Sequence, residues 1–387
     1  MRVGADEYST TDYGGMIADP VRMAAYRAAL ERTVRPGSVV VDLGAGTGIM
    51  SLLACRLGAR RVYAIEPGAA LQVARELAAA NGYADRITCL QSTSARVELP
   101  ERCDVLVADL RGVLPLYSDH LRVLADARRR FLAPGGVLIP LRDHLRVAVV
   151  AAEQDYAATR APWGAGASGF DMTPAERLAV HQLRRVRVPA AEVLTAPRTW
   201  ATLDYDTVTS PSVRGTAAWT LDRHATGRGL QLWFDAELAP GVGFSNAPDA
   251  APTLYEATFA PWSDPVDLSP GDHVAVELFA DHVGDDYVWR WNTTVTSAGG
   301  GPVKVALRQS TFQGQPLSVE ALRRRRPDHV PRLSEEGELA AFVLGEMRAA
   351  RALGDIARAL TERFPAACPD ESSALARAAS LARKYGA

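Results

Sequence analysis

Lysine is almost missing from this chain. Of its 387 residues only Lys304 and Lys384 are lysines, and the rest of the 43 basic residues are arginine. With the abundant alanine, this bias points to a G+C-rich bacterial source, and it makes an arginine cluster such as Arg323 to Arg326 weak evidence of function. A surplus charge of one sign is also lacking. The 43 basic and 45 acidic residues leave a net charge of -2, so no global field favours nucleic acid or an anionic membrane as partner. Cysteine is sparse: Cys55, Cys89, Cys103 and Cys368 show no CxxC spacing, and three of the four lie in apolar segments. Free buried thiols in a reducing cytosol are expected, and no metal centre. No run reaches the roughly 18 apolar residues of a membrane span. The opening MRVGADEYSTTDYGG has no apolar leader core, which predicts a cytoplasmic protein.

What is present is enough for a large core. The chain is 48% hydrophobic, and its length suggests two or three domains. From Asp19 to about Leu145, short apolar strands alternate with helices. Asp19-Pro20 starts a helix through Met23, Tyr26 and Leu30, an N-cap followed by proline at the first helical position. Val39 to Leu43 is a nearly continuous apolar run, as in a parallel strand buried on both faces. Further strands are read at Arg61 to Ile65, Ile87 to Leu90, Val105 to Ala108 and Val137 to Ile139. A helix through Leu71, Ala74 and Leu77 stops at Asn81-Gly82. The alternation predicts a doubly wound α/β domain, Rossmann-like, over residues 1–145.

Beyond residue 145 the period changes to two. Leu230 to Leu238, Val274 to Ala280 and Tyr287 to Val295 alternate apolar with polar positions, and Gly, Pro, Asp and Asn turns separate them. An antiparallel β-domain is expected over 146–315. The tail, 316–387, reads as a small helical or winged-helix appendage, with Ser334 capping a helix through Leu339, Phe342 and Val343.

The chemistry starts at Asp42-Leu43-Gly44-Ala45-Gly46-Thr47-Gly48, where a strand ends and a helix opens. Glycines there let the backbone pass close to a ligand, and the helix start supplies amide donors. A similar turn serves nicotinamide enzymes, so the loop alone is weak evidence. Two features favour S-adenosylmethionine (SAM): the GxGxG spacing, and Glu66 closing the next strand, where a carboxylate can accept both ribose hydroxyls.

These residues carry a resemblance. Met16 to Pro140 resembles the protein arginine methyltransferase family, through MIADPVR, VVVDLGAGTGIMSLLACRLGARRVYAIE, VELPERCDVLVADL and FLAPGGVLIP. The likeness continues more thinly through Gly169 to Met172, similar to that family's dimerisation arm, and through LQLWFDAEL and LSPGDHVAVEL of its β-barrel. It implies a SAM-binding domain followed by an antiparallel β-barrel, with an arm near 155–185 that makes a homodimer. It also implies that Arg22 pairs with the SAM carboxylate and that Met16 packs near the sulfonium and adenosine. Gly44 and Gly46 would line the methionine portion, with Asp42 and Ala45 of the same loop also at the cofactor, Glu66 the ribose, and Ser94 the adenine edge. Ala95 stands where the family has a glutamate for the adenine amino group.

The acceptor side departs from the family. Of the two glutamates that would grip a guanidinium, the first is Asp109 and the second is Ser118, with Asp119 offset by one. Arg111 adds positive charge to the same loop, and the threonine-histidine-tryptophan loop reads Thr253-Leu254-Tyr255. Asp109 is the leading candidate to orient or deprotonate an acceptor, followed by Asp119 and His120, with His282 and Asp285 weaker. The expected function is therefore SAM-dependent methylation of a nitrogen or oxygen on a small molecule or short peptide, in bacterial specialised metabolism. The alternatives are an arginine or guanidine methyltransferase with a rebuilt acceptor site, a catalytically inactive SAM-binding regulator, and a nicotinamide dehydrogenase.

Overall fold

The computed structural model describes residues 8–164 and 169–386. Residues 1–7, part of the stretch read for a leader, and 165–168, inside the expected arm, lie outside the described residues. Two compact units divide the chain, 1–316 and 317–387.

The first unit opens with helices α1 (Thr10–Ala18) and α2 (Pro20–Thr33). The α/β repeat follows as β1 (Val39–Leu43), α3 (Ile49–Arg56), β2 (Arg61–Ile65), α4 (Ala70–Ala80), β3 (Ile87–Leu90), β4 (Cys103–Ala108), α5 (His120–Phe131) and β5 (Leu132–Ile139). The strands form a parallel sheet in the order β3-β2-β1-β4-β5. All five residues of β1 are buried, which is why its sequence is an unbroken apolar run with one acid. The sheet order reverses beside β1, so the crevice at the carboxyl ends of β1 and β4 is where such a sheet takes its ligands.

A second set of strands builds an antiparallel, barrel-like body. It begins with β6 (Arg142–Val150), passes through α6 (Glu153–Arg160) and α7 (Thr173–Ala179), and continues as β7 (Arg184–Arg185), β8 (Arg198–Asp204), β9 (Val213–Thr220), β10 (Ala225–Ala239) and β11 (Val242–Ser245). The last four strands are β12 (Thr258–Leu268), β13 (His273–Val283), β14 (Asp286–Thr296) and β15 (Val303–Ser310). One sheet runs β7-β12-β10-β6-β8 with β11 on β10; the other runs β15-β14-β13-β9. In β14 the alternate residues Tyr287, Trp289, Trp291, Thr293 and Val295 are buried, the face that the period of two selects. One apolar core runs from Met23 of α2 through both bodies to Leu307 of β15. The two bodies are thus packed as one unit rather than tethered.

The tail is the helical one of the two forms expected. Residues 317–387 hold α8 (Val319–Arg324), α9 (Glu335–Arg348), α10 (Leu353–Arg363) and α11 (Glu371–Tyr385), with no strand, and so no wing, among the described residues. The Ser334 hydroxyl does cap α9, accepting from Gly337 N. The apolar stripes of α9, α10 and α11 close a small core of their own around Leu339, Val343, Ile356, Leu360 and Ala378. All four cysteines are free; Cys55, Cys103 and Cys368 are buried and Cys89 is half-buried.

Candidate active site

Strand register assembles the site. Leu43 of β1 lies opposite Ile65 of β2 and Ala108 of β4, so the next residues, Gly44, Glu66 and Asp109, emerge side by side at the carboxyl edge. Gly44, Gly46 and Gly48 have φ of 70°, 52° and 80°, the left-handed region that side chains disfavour. A side chain would also crowd its neighbours: a Cβ on Gly44 would press on Leu110 Cδ2, and one on Gly46 on the Tyr13 ring. Tyr13 belongs to α1, which is closed at its start by a Ser9–Asp12 capping box and lies over the glycine loop.

Glu66 is held by the loop it faces. Its Oε2 accepts from Gly46 N at 3.1 Å and its Oε1 from Gly68 N at 2.7 Å. Each oxygen keeps a second acceptor position for an outside donor such as a hydroxyl. Asp42 has a different task. It is buried, accepts from Ser51 N at 2.9 Å and Ser51 Oγ at 2.7 Å, and so ties the end of β1 to α3. Burial pushes its carboxyl up to about 6, with the Ser51 bonds opposing. Ala45 is buried, its N–H donating to Ile65 O. Ser94 is buried at the start of a short 3-10 turn, and its carbonyl accepts from Arg130 of α5.

A buried polar cluster stands beside the glycine loop. Arg22 of α2 donates through Nε to Asp109 Oδ2 at 2.7 Å and through Nη1 to Met16 O at 3.1 Å. Arg111 donates through Nη1 to the other Asp109 oxygen, Oδ1, at 3.1 Å, and to the Tyr26 hydroxyl at 2.7 Å. Its Nε and Nη2 grip Asp143 of β6 at 2.8 and 3.0 Å. The Tyr205 hydroxyl donates to Asp143, and the Tyr255 hydroxyl to Asp109 Oδ2. Burial by itself would raise the Asp109 carboxyl, but Arg22 and Arg111 outweigh it and hold it below the usual aspartate range. The carboxylate is ionised and both its oxygens are engaged.

The structure thus brings Met16, Arg22, Gly44, Ala45, Gly46, Glu66 and Asp109 to the carboxyl edge of the sheet; Asp119 lies apart from them with His282, and His120 packs against the Tyr205 side of the cluster. Asp119 sits at the start of α5, 3.2 Å from His282 Nε2 and 3.6 Å from Arg122. His282 Nε2 also lies 3.2 Å from the carbonyl of Ser118, a residue held in the left-handed region at φ 46°. His120 is buried and stacked on Tyr205, ring centroids 5.7 Å apart. Burial, reinforced by Arg111, lowers it to about 4, so it is neutral and weakly basic at pH 7.

This placement of His120 makes an expected result. The folded chain refuses a proton that the unfolded chain takes below about 6.5, so stability falls as pH drops from about 6.5 toward 4 and levels off below that. The loss attributable to His120 is about 2 kcal/mol at pH 5. His120→Phe keeps the ring stack and removes the titration. Urea unfolding at pH 7.5 and pH 5 should show a shallower acid loss in the variant; parallel pH profiles would contradict it.

Sequence reasoning missed Tyr13, Asp143 and Tyr205. Asp143 did leave a signal: it shares a face of β6 with the buried Leu145, Val147 and Val149, and a buried acid requires a cation.

Comparison with known proteins adds the following. Residues 27–140 match the family model described as Ribosomal protein L11 methyltransferase (PrmA). The chain is 30% identical over 288 residues to protein arginine N-methyltransferase 6 of Danio rerio, covering 70% of this chain and 82% of that protein. It is 28% identical over 265 residues to protein arginine N-methyltransferase 1 of Dictyostelium discoideum, covering 66% and 77%. Among solved structures, the Trypanosoma brucei PRMT1 enzyme-prozyme heterotetrameric complex with AdoHcy aligns with a TM-score of 0.72 at 23% identity, over 78% of this chain and 98% of that one. Arabidopsis thaliana protein arginine methyltransferase 10 aligns at 0.69 and 20% identity, with the same coverage. At those identities the structural matches speak for the fold.

Proposed function

Because the chain belongs to the protein arginine methyltransferase family, whose members are SAM-dependent methyltransferases, we propose that it methylates an uncharged nitrogen or oxygen on a small molecule or short peptide. In this reading it is a cytoplasmic enzyme of bacterial specialised metabolism. Among the described residues no helix is long and apolar enough to cross a membrane.

The residues present fit SAM by their chemistry. Gly44 and Gly46 offer backbone free of side chains to the methionine portion, Glu66 offers carboxylate oxygens to a ribose diol, and Arg22 offers a guanidinium to a carboxylate. Met16, tied to Arg22 by its carbonyl, is assigned to the sulfonium side and Ser94 to the adenine edge by the family resemblance. SAM supplies a methyl group already activated on a positively charged sulfur, so the protein's work is alignment and exclusion of water.

The observation that carries the acceptor reading is the state of Asp109. Its two oxygens are taken by Arg22, Arg111 and Tyr255, which leaves little with which to grip a guanidinium. Ser118 and Leu254 supply no second charge. Asp109 is then a positioning residue, and where an acceptor must shed a proton, Asp119 beside His282 is the acid on this loop with an exposed side chain.

Release of S-adenosylhomocysteine tests the reading directly. Arginine-rich, histone-like peptides should be turned over at least a hundredfold less efficiently than the best of a panel of neutral hydroxyl and amine compounds. Efficient methylation of the arginine peptides would overturn it. The chain is further proposed to form a homodimer through its arm, where Trp163 is half-buried and Phe170 is 71% exposed. A single monomeric species in sedimentation at micromolar concentration would contradict that.

A further inference from the structure

Arg111 lies in the loop that should receive the acceptor, yet none of its side chain reaches solvent. Its guanidinium lies 5.6 Å from the centroid of Phe234 and 5.9 Å from that of Phe244, and is forked onto Asp143, whose side chain is equally buried. Asp143 in turn accepts from the Tyr205 hydroxyl. A bidentate pair in such surroundings has one geometry open to it, so Arg111 cannot swing aside for a ligand. What remains of its donor set faces the Tyr26 hydroxyl and Asp109 Oδ1.

We propose that Arg111 is the residue that sets the charge of the acceptor: held from behind by Asp143 and Tyr205, it occupies the inner oxygen of Asp109 and selects neutral acceptor groups over guanidinium. The inference rests on the acceptor reading given above and supplies its physical device. Arg22 and Arg111 balance Asp109 and Asp143, so the cluster is neutral as a whole. A guanidinium entering it would meet the fixed charge of Arg111, and of its two acids Asp143 is turned to Arg111 and Tyr205 while Asp109 has Oδ2 filled by Arg22 and Tyr255 and Oδ1 engaged by Arg111. That is selection by repulsion and by loss of partners, which discriminates more sharply than a change in pocket size. Arg111 is in this sense a positioning residue, acting through Asp109.

Removing Arg111 alone would strand Asp143, so the test removes both charges. In Arg111→Met/Asp143→Asn an oxygen remains for Tyr205, and Asp109 Oδ1 is freed. Two probes of nearly the same shape, N-acetyl-arginine amide and N-acetyl-citrulline amide, are titrated into protein saturated with S-adenosylhomocysteine. The wild type should bind the neutral citrulline probe at least tenfold more tightly. In the double variant the ratio should move at least tenfold toward arginine. A general loosening of the fold would weaken both probes together and leave the ratio where it was. Arg111→Gln/Asp143→Asn, with a polar filler, provides a second background should the first fail to bind S-adenosylhomocysteine. A ratio that does not move in either background, or no binding of either probe, overturns the role of Arg111. A wild type that already prefers the arginine probe sinks the acceptor reading itself.

Discussion

Asp143→Ala should lower the unfolding free energy of the first unit by about 3–5 kcal/mol, the range for breaking a buried ion pair by removing one partner. The size follows from what is left behind. Asp143 and Arg111 are without solvent contact, and the substitution leaves a guanidinium in the core with Asp109 as its one remaining acid, while the Tyr205 hydroxyl loses its acceptor. Asp143→Asn should fall between wild type and Asp143→Ala, because it keeps an oxygen for Tyr205 and gives up the charge. Removing both members with apolar side chains of similar volume, as in Arg111→Met/Asp143→Leu, should recover most of the loss, since buried pairs offer little net stability over good packing. Urea unfolding followed by tryptophan fluorescence reads the right unit, because all seven tryptophans precede residue 317. An Asp143→Ala variant within 1 kcal/mol of wild type would show that the pair is solvated in the protein as it exists.

Asp109→Asn should reduce methyl transfer to the native acceptor by at least about 100-fold, with a much smaller effect on the affinity for S-adenosylhomocysteine. A loss of about 3 kcal/mol in charge-assisted contacts corresponds to about two orders of magnitude in rate. The reason is positional. A carboxamide presents an N–H₂ to one of two arginines; with Arg111 fixed on Asp143, Arg22 is the one that must turn away, and the Tyr255 hydroxyl that shares its oxygen moves with it. Asp109→Ala, which leaves Arg22, Arg111 and Tyr255 with no acceptor at all, should be worse than Asp109→Asn if position is what matters; a base would lose equally in both. Full turnover by Asp109→Asn would remove Asp109 from the machinery.

The parts of the molecule that could be read in the sequence are those whose signal is local. Val39 to Leu43 shows its double burial in five letters, and the glycines after it announce a backbone conformation that other residues disfavour. Tyr287 to Val295 likewise shows its buried face by alternation alone. Helix α1 was not legible, because Gly14 and Gly15 lower its propensity and it buries no residue; its capping box and its position over the loop sustain it instead. In the tail, the helix cap at Ser334 and the apolar spacing of Leu339, Phe342 and Val343 were legible for the same local reason, and the helical form is the one adopted. At the site, Arg111 looked like a charge offered to the acceptor. Its true setting depends on Asp143, 32 residues away on the first strand of the other body, and on Tyr205, further still. The alternation along β6 marks Asp143 as buried, but nothing periodic names Arg111 as its partner. Asp109, likewise, was legible as an acid that orients or deprotonates an acceptor, but its pairing with Arg22, 87 residues distant, was not.

The single core shared by the two bodies has a consequence for anyone hoping to exchange specificities among relatives. The segment Asp109 to Ser118 looks like a cassette, since it begins and ends within one loop. Its ionic character is nevertheless written outside it: Arg22 and Tyr26 on α2, Asp143 on β6, Tyr205 just past β8 and Tyr255 before β12 decide which charges it shows. Transplanted into a relative, those ten residues would bring their spelling and leave their meaning behind.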